Sequence, residues 1–483
     1  MSRAGLVWTE ALFGLTPSWE REPSLDAVRD MCCEHLGVPS INGEGGNTCI
    51  VTYRAAGAFN KIYTVDSVKG KFIMRVSLPV DPGYKTRGEV STLRFVRENT
   101  AIPVPKVIAF DETNNNKIGF EWILMEFISG QSLHYRWRSL TMEQKASLVQ
   151  RVADFQAQLF QFRPIGSSSS LRGIGTLGTN AGKSDSPGRI VSFPFVEGNC
   201  YDYDIPRGPF RSSHDWLHSR LEIIRLQKLE EIESAEDEDD KGMAEAGLKA
   251  TQHLKSILPK IFPSSSTYNA ERTAIWHHDL SNMNIMVDEQ GEITGIVDWE
   301  CVFAAPSWAI TKTPAFLNNH NERDEEPYRD GYADETEEDR ERARKHYGDR
   351  CLDNEGKNSL YWIHLKEYEV TKLKEVYNAR MQQNLSSWSE MVKDAELQLD
   401  FYTCVEHAAS SWCTGAAISW ATSIEKGDIV RYGQEEDDDS TDDESTDDED
   451  GEQDDGEQND GEHNDEKHDD EKHDNKTLVT GGQ

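Results

Sequence analysis

Asp279, Asn284 and Asp298 are three hard-oxygen side chains within one stretch, Ile275 to Glu300, that reads IWHHDLSNMNIMVDEQGEITGIVDWE. Each stands at or just beyond the end of an apolar, β-rich run. The order is His-x-Asp, four residues, Asn, a turn, and then Asp-Trp-Glu. Phosphoryl transfer needs such a set. One carboxylate orients the attacking hydroxyl and accepts its proton, while an amide oxygen and a second carboxylate hold Mg2+ on the nucleotide phosphates. Mg2+ suits the set, because it takes only one or two protein carboxylates and keeps several waters.

These groups must be brought together by the elements around them. Ala274-Ile275-Trp276 reads as a short buried strand that runs into a loop carrying Asp279. Ile285-Met286-Val287 and Ile293-Thr294-Gly295-Ile296-Val297 read as two strands. Between them lies a turn by composition, in which Gly291 can take a positive φ. Such a hairpin sets Asn284 and Asp298 side by side at one end. Each residue alone is equally well a cap or turn residue on an ordinary hairpin. The chemistry is carried by the whole constellation.

The segment resembles the catalytic and metal-binding core of the aminoglycoside phosphotransferase and choline kinase group, within the protein-kinase-like fold. Those enzymes carry His-Gly-Asp, four residues, Asn, and later Ile-Asp-Trp or Ile-Asp-Phe. Here the match is His277-His278-Asp279, Asn284 and Val297-Asp298-Trp299, with His278 in place of the Gly. The resemblance implies an α+β, bilobal fold with a small β-rich N-lobe and a larger, mainly helical C-lobe. It implies ATP and Mg2+ as cofactors and transfer of the γ-phosphoryl group to a hydroxyl of a small molecule. By that resemblance Asp279 is the base, Asn284 and Asp298 are the Mg2+ ligands, and His277 braces the loop. Glu300 is expected behind the metal or against a cationic acceptor.

The amino-terminal half reads as a nucleotide lobe. A helix is expected from Pro23 to Leu36, with Ser24 as N-cap and Gly37 as the stop. Strand-like runs follow over 49–65, 71–78, 104–110 and 121–128, with a helix over 89–98. Gly57-Ala58-Phe59-Asn60 lies between the first two strands, where backbone N–H groups would cover phosphates. With one Gly in it, the turn is equally an ordinary hairpin turn. Arg75 stands on the third strand where the group places a Lys that contacts the α/β-phosphates. Arg is permanently charged and binds phosphate bidentately. Glu89 is the helix carboxylate expected to pair with it. Glu126, Phe127 and Ile128 form the expected hinge, whose backbone would bond the adenine edge.

A strong helix is expected over 141–162, opened by a Thr141–Gln144 capping box. The loop that follows includes Ser168, Ser169 and Ser170. Further helices are expected over 213–231 and 243–258, joined by the acidic run 236–240, and over 360–381, 385–399 and 401–424. Trp412, Cys413 and Trp420 are expected in the core. The segment 320–344 is expected as a charged, solvent-facing helix or loop. The organisation expected is 1–44 as a helical extension, 45–130 as the N-lobe, 131–433 as the catalytic and acceptor-binding C-lobe, and 434–483 as a disordered acidic tail.

The formal charge is −36 over 483 residues. Residues 435–476 hold 24 acidic and 3 basic side chains, which leaves −15 on the rest. Like-charge runs repel and bury no core, so the tail is expected to be disordered and available to a protein partner. The tail's Ser440, Thr441, Ser445 and Thr446 precede acids, as acidophilic kinases prefer, and His463, His468 and His473 read as solvated side chains. An acidic chain argues against nucleic acid as a partner, since such binding needs a positive footprint. The eight cysteines form no C-x-x-C pair, so zinc and redox modules are not indicated. No apolar run approaches the ~20 residues of a membrane helix. A cytoplasmic protein is expected, with no membrane partner. The competing reading is a non-catalytic, kinase-like scaffold or regulatory binding protein. It draws on Arg75 for Lys, the Gly-poor turn, His278 and the acidic tail.

Overall fold

The computed structural model describes residues 2–11, 14–39, 49–161, 171–180, 186–264, 270–318, 321–348, 351–411 and 413–433. The acidic tail with its serines, threonines and histidines lies outside them, as do Ser168, Ser169, Ser170 and Trp412.

The first ordered element is a hairpin, Leu6–Ala11 (β1) with Gly14–Trp19 (β2). The sequence reading expects only a helix before residue 44. The period-two alternation of Leu6, Val7 and Trp8 explains the strand: Leu6 and Trp8 pack on the core and Val7 is exposed. Trp19 lies edge-on to Phe120 at 4.8 Å. The expected helix follows as Leu25–Leu36 (α1). The Ser24 side chain accepts from the Ala27 N–H, and Gly37 ends the helix at φ 61°.

A five-stranded antiparallel sheet forms the small lobe. Its strands are Ile50–Ala56 (β3), Asn60–Ser67 (β4), Gly70–Ser77 (β5), Val107–Asp111 (β6) and Glu121–Glu126 (β7), in the order β3-β4-β5-β7-β6. Tyr84–Asn99 (α2) packs on it through Val90, Leu93 and Val96. This helix begins a turn earlier than the 89–98 expected. Asp81 accepts from the N–H groups of Tyr84 and Lys85 through its carbonyl, and Glu121 Oε1 accepts from the Gly83 N–H at 2.8 Å, so orphan donors at the helix start are satisfied.

The chain then leaves the sheet through Gln131–Ser132 (β8) and Leu133–Arg136 (α3). Met142–Gln161 (α4) opens with the expected capping box: Gln144 Oε1 accepts from Thr141 N–H, and Thr141 Oγ1 from Gln144 N–H. Phe193–Val196 (α5) precedes two long helices, Ser213–Ser234 (α6) and Glu238–Ile261 (α7). The acidic run 236–240 does not only link them. Asp237 is the N-cap of α7, and Glu238, Asp239 and Asp240 fill its first turn, where the helix dipole favours negative charge.

Thr273–Trp276 (β9) pairs with Phe303–Pro306 (β12), and Ile285–Val287 (β10) pairs with both Ile293–Ile296 (β11) and β8. Ser307–Ile310 (α8) follows, then Glu337–Tyr347 (α9), Ser359–Asn384 (α10), Trp388–Ser410 (α11) and Thr414–Lys426 (α12). The single helix expected over 401–424 is broken, because Ser411 and Cys413 take φ of 59° and 50°. Cys413 is exposed rather than in the core, whereas Trp420 is buried. The fold is the expected α+β arrangement, with a β-rich amino-terminal part and a helical carboxy-terminal part. Among the described residues no helix is long and apolar enough to cross a membrane.

Candidate active site

The β9–β12 and β10–β11 pairings converge on one place. Trp276 faces Phe303, and the loop carrying Asp279 leaves from β9. Ile285 faces Ile296, and Val297 N–H donates to the Asn284 carbonyl at 2.9 Å. Asn284 and Asp298 therefore sit at one end of the hairpin. Gly291 turns it with φ 85°. Asp279 is exposed. The buried Asn284 donates through Nδ2 to the Asp279 carbonyl at 2.8 Å and to its Oδ2 at 3.0 Å. His277 sets the loop's depth. Its Nε2 lies 3.2 Å from the Val297 carbonyl, and its ring stands edge-on to Trp299 at 4.7 Å. Burial pushes its pKa down to about 4, so it braces the loop as a neutral imidazole. His278 and Leu280, on either side of Asp279, line a cavity of about 100 Å³ with Trp276 and Lys312.

Arg75, on β5, reaches across to the hairpin. It donates to Glu89 of α2 at 2.7 Å, to Glu300 at 2.7 Å and to Asp298 at 3.1 Å. The pair expected between Arg75 and Glu89 is present. Glu300 does not stand against an open acceptor space. Its Oε2 accepts from Arg75, from Asn60 Nδ2 at 2.8 Å and from Lys85 Nζ at 2.6 Å. Sequence reasoning gives Asn60 no role beyond the turn and passes over Lys85. A signal exists for Lys85: it precedes Glu89 by four residues, so both project from one helix face.

Electrostatically, the cluster holds two cations and three carboxylates, all close. Burial raises Glu89 to about 7 against the pull of Arg75 and Lys85. Asp298 rises to about 6 through burial and the neighbouring Glu300, opposed by the same cations. Glu300 falls to about 2, because Lys85, Arg75 and Asn60 outweigh its burial. Arg75 is raised, its three acids overcoming its own desolvation. The excess acid is thus shared by Glu89 and Asp298. Asp298 also holds a left-handed φ of 64°, uncommon for a non-glycine residue.

A divalent cation fits this donor set. Asn284 commits its Nδ2 to Asp279, and among the described residues no group donates to its Oδ1. Asp298 supplies a carboxylate from a cluster with one acid in excess. Both are the hard oxygens that Mg2+ takes. Among the described residues no group of three or more His, Cys, Asp or Glu forms a metal site, so the ligands here would be few.

Of the other expected residues, Gly57 opens the turn between β3 and β4, with nothing within 4 Å of the position a Cβ would take. Glu126 ends β7 and donates its N–H to the Lys106 carbonyl, while Phe127 N–H donates to the Lys71 carbonyl. Ile128 makes no backbone hydrogen bond among the described residues. It packs on Gly295, where a Cβ would lie 2.6 Å from Ile128 Cγ2.

A model of the phosphotransferase enzyme family matches residues 51–346, which include the sheet, the hairpin and the Arg75 cluster. The chain belongs to this family. A subtelomeric hrmA-associated cluster protein of Aspergillus fumigatus is 27% identical over 313 residues, 55% of this chain and 60% of that protein. The Saccharomyces cerevisiae protein named altered inheritance of mitochondria protein 9, mitochondrial, is 23% identical over 363 residues, 63% of this chain and 55% of that protein. The chain thus spans 60% and 55% of the length of these two curated relatives. Among solved structures, the ternary complex of APH(2'')-IIa with streptomycin and ATP has a TM-score of 0.41 at 10% identity, covering 84% of this chain and 97% of that one.

Proposed function

We propose that the chain is an ATP- and Mg2+-dependent phosphotransferase acting on a hydroxyl of a small molecule. The observation that supports it most is the pair of hydrogen bonds from Asn284 Nδ2 to Asp279. It fixes the base to the residue whose remaining oxygen would hold metal. In this reading Asp279 accepts the hydroxyl proton. The acceptor oxygen bonds to the γ-phosphorus, the bond from that phosphorus to the β,γ-bridging oxygen breaks, and ADP leaves. Asn284 and Asp298 hold Mg2+, which when bound neutralises phosphate charge. Arg75 and the Gly57 turn face the phosphates, Glu89 fixes Arg75, and the backbone of Glu126, Phe127 and Ile128 meets the adenine. Residues 45–130 form the nucleotide lobe and 131–433 the catalytic and acceptor lobe. Residues 1–44 form an extension ahead of the nucleotide lobe, and the acidic tail 434–483 is left to a protein partner. Neither nucleic acid nor membrane is a partner in this reading.

No disulfide joins any of the eight cysteines, which fits a reducing compartment, and we place the chain in the cytoplasm. The yeast relative's name gives a mitochondrial location for that protein, and cell fractionation decides between the two. The activity is tested by titrating ATP into the full chain with and without Mg2+, beside Asp298→Ala. Mg2+-dependent binding that the variant loses supports the enzyme. Binding indifferent to both points to the scaffold.

A further inference from the structure

Lys85 and Glu89 both stand on α2, and Gly88 lies between them in sequence. At Gly88 the helix is packed against a segment of the large lobe. A Cβ there would lie 2.5 Å from Thr176 Cγ2, and a Cβ on Gly178 would run into Ser91 Oγ of the same helix. Glycine inside a helix gives up helix stability, and in return it lets a neighbouring segment come close. Thr176 is fully buried in this contact.

The segment is also tied to the strand that follows Glu300. Gly175 N–H donates to the Ala304 carbonyl at 3.2 Å, and Ala304 N–H donates to the Gly175 carbonyl at 2.9 Å. Ala304 lies in β12, four residues after Glu300. Thr176 itself is held firmly. Its Oγ1 accepts from Val191 N–H at 2.9 Å, and its carbonyl accepts from Gly188 N–H at 3.0 Å. Two neighbouring residues, Gly175 and Thr176, thus link the strand behind Glu300 to the helix that carries Lys85. The Lys85–Glu300 contact at 2.6 Å closes the circuit.

A second contact holds the start of α2. Arg189 donates to Asp81 through Nε at 3.3 Å and through Nη2 at 3.1 Å, and its guanidinium lies over the Tyr84 ring at 5.0 Å. The Asp81 carbonyl in turn accepts from Lys85 N–H, and the Arg189 carbonyl accepts from Thr176 N–H at 3.4 Å. Both contacts on α2 therefore belong to one brace.

We propose that Thr176 is a positioning residue: its methyl on Gly88 sets the depth at which α2 lies, and so places Lys85 and Glu89 against Glu300 and Arg75. What this does for nucleotide rests on the phosphotransfer reading; the placing of Lys85 does not.

A pair of substitutions in the full chain tests it. Gly88→Ala drives a methyl against Thr176 Cγ2. Thr176→Ser removes that Cγ2 and keeps a hydroxyl for Val191 N–H. The next atoms the new methyl meets are then the Leu177 carbonyl oxygen at 3.7 Å and the Cβ of residue 176 at 3.8 Å, which is ordinary contact. The readout is the rate at which acetic anhydride acetylates Lys85 without nucleotide, followed by mass spectrometry. Lys145, buried on α4 and paired with Glu369, is the internal reference. Gly88→Ala is expected to speed acetylation of Lys85 at least about tenfold with Lys145 unchanged, and the double variant to return it to within about threefold of the natural chain. With Mg2+ present, the ATP Kd should rise at least about tenfold in Gly88→Ala and recover in the double variant. A natural chain that binds no ATP sinks the phosphotransfer reading and leaves the acetylation result standing. A Lys85 rate unmoved by Gly88→Ala, or a rise that Thr176→Ser does not reverse, would overturn the proposal. Should Gly88→Ala unfold the chain, Lys145 reacts too and the double variant decides: both lysines protected supports the proposal, and Lys85 alone reactive overturns it.

Discussion

The Lys85 Nζ lies 2.6 Å from the Glu300 Oε2, joining the helix of the small lobe to the residue just after Asp298-Trp299. Lys85 is 1% exposed, so the ammonium has no water to fall back on. Replacing Glu300 by Ala leaves Lys85 and Arg75 buried with a partner missing. We expect a loss of about 3–5 kcal/mol of stability, the scale of a broken buried pair. Urea unfolding measures it. A loss under about 1 kcal/mol would mean that the pair is solvated in solution.

Asp279→Asn keeps the size of the base and removes its proton acceptance. Phosphoryl transfer is expected to slow by at least ~10²-fold, the scale of a lost general base. ATP affinity is expected to stay, since Asn284 can still donate to the backbone carbonyl of the substituted residue. Turnover equal to that of the natural chain would sink the role given to Asp279.

Arg75→Lys keeps one positive charge but not the fork that reaches Glu89, Glu300 and Asp298 together. At least one of these acids loses its donor. The expected result is ATP binding weaker by about tenfold, equivalent to ~1.4 kcal/mol. Unchanged affinity would show that Lys85 suffices as the cation of the nucleotide lobe.

Glu121 gives the stability a pH dependence of known sign. It is 1% exposed, and burial pushes its pKa up to about 7. A carboxyl raised above its unfolded value stabilises fully below the unfolded pKa, and that contribution is lost as pH rises through the folded one. From an ordinary value of 4.5 to about 7 the loss is about 3 kcal/mol. Glu121→Gln retains an acceptor for the Gly83 N–H and carries no such charge. Its stability relative to the natural chain should therefore improve by about that amount between acidic and mildly alkaline pH. A difference that stays flat with pH would rule out Glu121 as the titrating group.

Gly295→Ala places a methyl 2.6 Å from Ile128 Cγ2. Ile128 must shift, and with it the segment expected to meet the adenine. Overpacking of this kind costs about 1–3 kcal/mol. The ATP KM should rise while transfer from saturating ATP changes little, which steady-state kinetics separates.

The parts of the site that sequence displayed are those set by local rules. Period-two runs around Gly291 define the hairpin that aligns Asn284 with Asp298. Thr141 with Gln144, and Ser24 with Gly37, mark helix ends by side-chain chemistry that acts within a few residues. What stayed hidden depends on tertiary contact. Glu300 meets Lys85 and Asn60 only once the lobes are closed on each other. The break near Cys413 follows from positive φ at two non-glycine residues, which no periodicity announces. The acidic run at 236–240 reads as a linker by composition and acts as a helix start because Asp237 caps it.

The cross-lobe cluster has a consequence for selectivity among anions. Arg75 and Lys85 already hold carboxylates before any nucleotide arrives. A phosphate chain entering here does not fill a bare positive hole; it takes part in an exchange of counter-charges. A small anion such as sulfate can replace at most one carboxylate and gains little by doing so. A polyphosphate that brings its own divalent cation can release Asp298 from Arg75 and engage both partners at once. Under the phosphotransfer reading proposed above, the site would answer to an ion-bound polyanion and stay indifferent to simple anions around it.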